Sequence, residues 1–195
     1  IGAGSIIRNS HIRNSVVEWG YEWGIYADTM APTLVGNTIR NIPRGISVTE
    51  SPTGPHTSVI QDNQVQATGS NGIYFVGHTT YSTPTISGYA VSGGTVGVAF
   101  SDASPTFTGN TVQNTTYPIA FVGNAYVDLA GNTFANNTYS AVRVSGTMSV
   151  SRQWEPQLGG AFVYLVSSDL TVNAGATLTI EPGVILKVLY SSDVN

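Results

Sequence analysis

One pattern constrains this chain more than any other, the run Gly36-Asn37-Thr38-Ile39-Arg40-Asn41-Ile42-Pro43-Arg44-Gly45-Ile46-Ser47-Val48. It joins a short alternating strand, a tight corner at Asn41–Arg44 and a second strand opening at Gly45-Ile46. Variants recur along most of the sequence. The central apolar residues Ile12, Ile39, Val65, Val91, Val112 and Phe134 follow one another at intervals of 27, 26, 26, 21 and 22. Gly24, Gly45, Gly72, Gly97, Pro118 and Ala141 head the strand after each, while Ile7, Leu34, Ile60, Ile86, Phe107 and Leu129 supply the strand before.

A period of 21 to 27 residues is too short for a helix pair or a propeller blade. Three strands of about four residues and three corners fill it, which is one turn of a parallel solenoid. Crossovers between parallel strands of one sheet are right-handed in nearly all cases. The expected fold is therefore all-β, a right-handed single-stranded parallel β-helix of about seven to eight three-strand coils. At ~4.8 Å per coil it would be roughly 35–40 Å long. One domain is expected over residues 1–195, with regular coils in 1–150. Beyond them, Ser151–Gly160 reads as a loop, and Leu170–Val172, Leu178–Ile180 and Ile185–Val188 as the strands of a further coil. In the first coil, Ser15–Trp23 reads as an aromatic-rich insertion between the second and third strands.

Composition narrows the function classes. Charged residues make up 9% of the chain, against roughly 25% in an average soluble domain. The net charge of −4 and the 7 basic residues argue against a nucleic-acid footprint, which needs clustered Lys and Arg. No run approaches the ~18 apolar residues of a membrane helix. Cysteine is absent, which removes thiolate chemistry and a disulfide frame. A low-charge chain rich in Thr, Asn and Gly points to an extracellular or cell-surface setting. Its abrupt termini at Ile1 and Asn195 suggest a piece of a longer protein.

The units Asn37-Thr-Ile-Arg-Asn41, Asn110-Thr-Val-Gln-Asn114 and Asn132-Thr-Phe-Ala-Asn136 resemble the right-handed parallel β-helix repeat family. That family includes pectate-lyase-like enzymes and modules of large bacterial extracellular proteins. The segment Tyr164–Lys187 is similar to the opening segment of such domains. The resemblance implies the fold and, more loosely, contact with polysaccharide. It also sets what an enzymatic member would need. A uronate lyase would need several calcium-binding carboxylates with an Arg or Lys base, for which Arg143 and Arg44 are the candidates. The Asp-Asp pair and Gly-His-Gly of polygalacturonase-type hydrolases are missing; Gly77-His78-Thr79 matches only in part.

The residues themselves offer four constellations. Asn37, Asn63, Asn110 and Asn132, interrupted by Tyr89, form a row whose amides can hydrogen-bond from coil to coil as an asparagine ladder. A second row, Asn14, Asn41, Asn114 and Asn136, marks corners. Asp28, Glu50, His78, Asp102 and Asn124 end the third strand of successive coils and are expected along one edge. There Asp28, Glu50 and Asp102 are candidate Ca²⁺ ligands, and Asp28, Glu50, His78, Asp102 and Arg143 candidate catalytic groups for a sugar. Solvated corner acids are the simpler explanation. Finally, Trp19, Tyr21, Trp23, Tyr26 and Tyr74 could stack on a glycan, with Tyr26 and Tyr74 facing outward by alternation. His11 and His56 form no metal-ligand pattern with each other or with His78.

The expectation is a non-catalytic extracellular structural or binding module of a larger secreted or surface protein, touching polysaccharide and needing no cofactor. A polysaccharide lyase or glycoside hydrolase working in a surface groove is the alternative. Uncapped solenoid ends would favour homo-oligomers through end-to-end stacking or strand exchange.

Overall fold

The computed structural model describes residues 11–13, 16–18, 22–28, 32–50, 58–67, 69–78 and 84–189. The Trp19 and Tyr21 positions, Asn14, and most of the corners after Glu50 and His78 lie outside these residues. The described chain winds as an all-β parallel solenoid. Its strands fall into parallel sheets of eight, six and five strands, with a further two-stranded pair near the C-terminal end. Eight strands in the largest sheet make seven coil-to-coil steps, roughly 34 Å at ~4.8 Å each.

Each apolar row of the sequence becomes one inward column. Leu34, Ile60, Ile86 and Phe107 stack in the five-stranded sheet. Ile39, Val65, Val91, Val112 and Phe134 stack in the six-stranded sheet. Ile25, Ile46, Ile73, Val98, Ile119 and Val142 stack in the eight-stranded sheet, and the column continues through Tyr164 to Leu186. Most of these side chains are buried in one continuous core. Removing them from water is what holds such short strands together, since strands of this length have little stability alone.

A second inward column lies beside the third row, and it demands small residues. A Cβ added at Gly72 would sit 2.4 Å from Val91 Cγ1 and 2.6 Å from the Gly97 carbonyl oxygen. Gly45 and Gly97 are equally tight against Val65 and Val112. Two consecutive residues therefore point inward at the head of these strands, and simple alternation fails there. The outward side chain falls one position earlier, at Trp23, Arg44, Asn71, Val96 and Tyr117.

The corners use left-handed backbone where the sequence supplies Asn or Asp. Asn41, Asn114 and Asn136 take positive φ of 58°, 56° and 54°, a conformation these short polar side chains tolerate. Inside the coil, the asparagine ladder forms. Asn63 Oδ1 accepts from the Asn37 backbone N–H at 3.0 Å and from Asn37 Nδ2 at 2.8 Å. Asn132 Oδ1 accepts in the same way from Asn110. Asn63 and Asn110 also donate to the Leu34 and Ile86 carbonyls. At Tyr89 the row loses its amide: the backbone N–H still donates to Asn110 Oδ1 at 2.9 Å, but the buried phenol replaces the ladder group.

Two expectations are corrected. Ile12 pairs with Leu34, and Val17 pairs with Ile39. The first coil is thus one strand out of step with the sequence alignment, and Val16–Glu18 is a coil strand rather than part of an insertion. Ile12-Arg13-Asn14 mimics Ile39-Arg40-Asn41 in type, yet backbone pairing sets the register. The second correction concerns Ser151–Gly160, which is not simply a loop: Arg152–Trp154 pairs with Leu178–Ile180. Leu170–Val172 is likewise the end of one ten-residue strand, Val163–Val172. Buried Gln157 anchors the connection, accepting from the Leu129 N–H and donating to the Tyr126 and Tyr164 hydroxyls. Trp154 stacks on Tyr164 with ring centres 4.5 Å apart, and burial pushes the Tyr164 phenol above its ordinary pKa.

Candidate functional site

The acids and the histidine expected along one edge occupy three neighbouring columns. Asp28 pairs with Thr49, which pairs with Val76. Glu50 falls one position further on, donating its N–H to the Val76 carbonyl, as Asp102 does to Val122. His78 lies one position beyond that column, beside Gly77. Their environments differ as well. Glu50 is buried, 1% exposed, and its Oε1 accepts from the Ser58 hydroxyl at 2.6 Å and the Ser58 N–H at 3.2 Å. Asp102 Oδ1 accepts from the Asn124 N–H and Nδ2 at 2.9 and 2.8 Å. Asn124 Oδ1 in turn accepts from the Ser149 and Val150 N–H groups. Glu50 and Asp102 thus bind backbone across a long corner and between coils. Among the described residues there is no group of three or more His, Cys, Asp or Glu that could hold a metal ion.

The outer face of the eight-stranded sheet has a different character. Its central outward column runs Tyr26, Ser47, Tyr74, Ala99, Ala120, Arg143, Leu165 and Lys187. Tyr26, Tyr74 and Arg143 are outward, as alternation predicts. The neighbouring column contributes Trp23, Arg44, Val96 and Tyr117. Together they make two ring pairs separated by an apolar step. At one end Trp23 and Tyr74 stack with centroids 6.3 Å apart, and the Arg44 guanidinium lies 5.4 Å over Trp23. Glu22 pairs with Arg44 at 3.0 Å. In the middle, Val96, Ala99 and Ala120 form a small cluster separate from the main core, with Tyr74 and Tyr117 packed against it. At the other end Tyr117 and Tyr139 stack 4.9 Å apart and nearly parallel, at 11°. Arg143 sits 5.7 Å over Tyr117 and donates from Nε to the Ser167 hydroxyl.

A groove of about 440 Å³ opens beside this second pair, lined by Tyr117, Tyr139, Ser140, Leu165 and Lys187 among others. The six-stranded sheet carries another groove, of about 370 Å³, whose side chains are amides and hydroxyls: Gln64, Gln66, Gln113, Ser92 and Thr38, with Arg40. Arg40 is already paired with Glu18. Sequence reasoning placed the stacking residues in the first three coils and missed Tyr117, Tyr139 and Lys187. The signal was present in the heads of the later strands, but the two successive inward positions hid it.

Parallel coils, an internal asparagine ladder and an unbroken outer sheet define a β-helix protein. The model of the NosD family, described as periplasmic copper-binding protein, matches residues 3–162. The chain belongs to that family. No curated protein and no solved structure matches it. Membership in a family described as periplasmic agrees, at the level of the cell envelope, with the expected setting outside the cytoplasm. It also agrees with a β-helix module whose task is structural or binding.

Proposed function

We propose that this chain is a rigid, non-catalytic envelope module that holds polysaccharide along the outer face of its eight-stranded sheet. One observation carries the reading: this face displays two stacked ring pairs, each with an arginine over a ring, on a scaffold in which Glu50 and Asp102 bond to backbone. Aromatic faces pack against the apolar face of a pyranose ring, while hydroxyls and cations beside them satisfy its polar rim. The backbone beneath is fixed by ladder hydrogen bonds, so little order has to be gained on binding. Trp23, Tyr26 and Tyr74 form the first contact zone of this reading.

The family's description names copper. Copper sites draw on thiolate, thioether and imidazole donors. The sequence holds no Cys, 3 His and 2 Met. Met148 is a buried core residue, while His78 is half-buried at a strand end; the other His and Met side chains lie outside the described residues. The described donor set does not fit a copper site.

Affinity electrophoresis through gels containing neutral or uronate polysaccharides tests the proposal. Retardation that is lost in Trp23→Ala/Tyr74→Ala is expected. No retardation in any gel overturns the glycan reading. Cleavage of a polysaccharide, abolished by Asp102→Ala, overturns the non-catalytic one.

A further inference from the structure

We infer that the groove between Tyr139 and Lys187 is a subsite for an acidic polysaccharide, taking a sugar face on tyrosine and a uronate carboxylate on lysine. The inference rests on the glycan reading above and adds a place and a ligand class to it. Tyr139 is 46% exposed, so one ring face is open to a ligand, and it lies parallel to Tyr117 beneath. The stacked pair presents a flat apolar plate. Thr138 and Ser140, exposed on either side of Tyr139, supply hydroxyls to the sugar rim.

Charge selects the class. The chain carries a net charge of −4, with 11 acidic residues against 7 basic ones. Yet the groove's lining contains the Lys187 ammonium and no carboxylate. The other groove is lined by neutral amides, and its one cation is paired with Glu18. A uronate carboxylate fits the first groove and has no counterpart in the second.

Geometry favours a polymer. Lys187 lies on the strand two steps beyond that of Arg143, roughly 10 Å along the axis at ~4.8 Å per step. One hexopyranose in an extended chain advances by a similar step. A chain lying along the solenoid thus meets the tyrosine with one unit and the lysine with a unit further on. Arg143 acts as a positioning residue: its guanidinium covers Tyr117 and is tied to Ser167, which holds the ring plate in place.

The test is calorimetric titration of the intact chain with oligogalacturonate and with a malto-oligosaccharide of equal length. The wild type should bind the uronate more tightly. Lys187→Gln should weaken uronate binding by roughly tenfold, as added salt should in the wild type, and leave the neutral oligomer unaffected. Tyr139→Ala should weaken both ligands by roughly tenfold. Thermal midpoints matching the wild type will show that these surface variants remain folded. Uronate binding unchanged in both variants overturns the inference. If Trp23→Ala/Tyr74→Ala abolishes that binding while the groove variants bind normally, the outer-face reading stands and the groove assignment falls. No binding of either oligomer overturns both.

Discussion

The asparagine column and the ring pairs run along the same axis and are set by the same register, yet they are used in opposite ways. Asn37, Asn63, Asn110 and Asn132 turn their amides inward, where each links neighbouring coils through side-chain and backbone groups. Trp23, Tyr74, Tyr117 and Tyr139 turn outward, stacked in pairs with an arginine over each pair, and Tyr74 and Tyr117 rest on the small Val96–Ala99–Ala120 cluster. Repetition alone does not mark a functional residue in a solenoid. The repeated residues here build the coil, and the residues that break the repeat give its surface a character.

The sharpest way to break this contrast is at the ladder. Asn110→Ala removes the acceptor of the Tyr89 N–H and the donor to Asn132 and Ile86. Leaving such groups buried and unpaired costs about 1–3 kcal/mol each, so chemical denaturation should show a loss of about 3 kcal/mol or more. Next in size is Gly72→Ala. Its new methyl must displace Val91 and the Gly97 backbone, at about 1–3 kcal/mol, read as a lower thermal midpoint. Smaller, and dependent on pH, is Tyr89→Phe. The Tyr89 hydroxyl is buried without a hydrogen-bond partner among the described residues, and burial pushes its pKa well above the ordinary 10.0. The folded state favours the neutral phenol, so its contribution is intact below pH 10 and declines as pH rises above it. Stability measured from pH 9 to 11 should therefore fall less steeply in Tyr89→Phe; a residual slope is expected from Tyr164, whose pKa is raised in the same direction. Smallest of all should be Tyr139→Ala, which is expected to shift folding stability by no more than about 0.5 kcal/mol while changing glycan binding. A large stability loss in that variant would erase the distinction between the two sets.

Much of the fold was legible because each apolar row stays apolar through many coils. Ile60, Ile86 and Phe107, or Val65, Val91 and Val112, can be aligned by eye, and backbone pairing keeps them aligned. The first coil misled because type similarity at Ile12 competed with register, and only pairing across the coil decides register. The long strand Val163–Val172 was obscured by Ser167-Ser168-Asp169, which looks like a corner but rides over a shift in pairing near Gly146. For the candidate site, alternation was enough for Tyr26, Tyr74 and Arg143. It failed for Tyr117 because Pro118 and Ile119 both point inward. The acidic edge dissolved for a related reason: a one-residue offset in a corner, invisible in type, moves a carboxylate into another column.

Tyr89 also bears on how the solenoid would come apart under load. The ladder joins Asn37 to Asn63 and Asn110 to Asn132 through side-chain amides; Asn110 also accepts from the Tyr89 N–H and donates to the Ile86 carbonyl, whereas the Tyr89 phenol offers no amide to the coil of Asn63. Pulled from its N-terminal end, the chain should yield in two stages, with the first coils peeling away to Tyr89 and a pause before the second ladder gives. A module with such a seam can lose its first coils and still keep the Tyr117–Tyr139 end of its outer face in register.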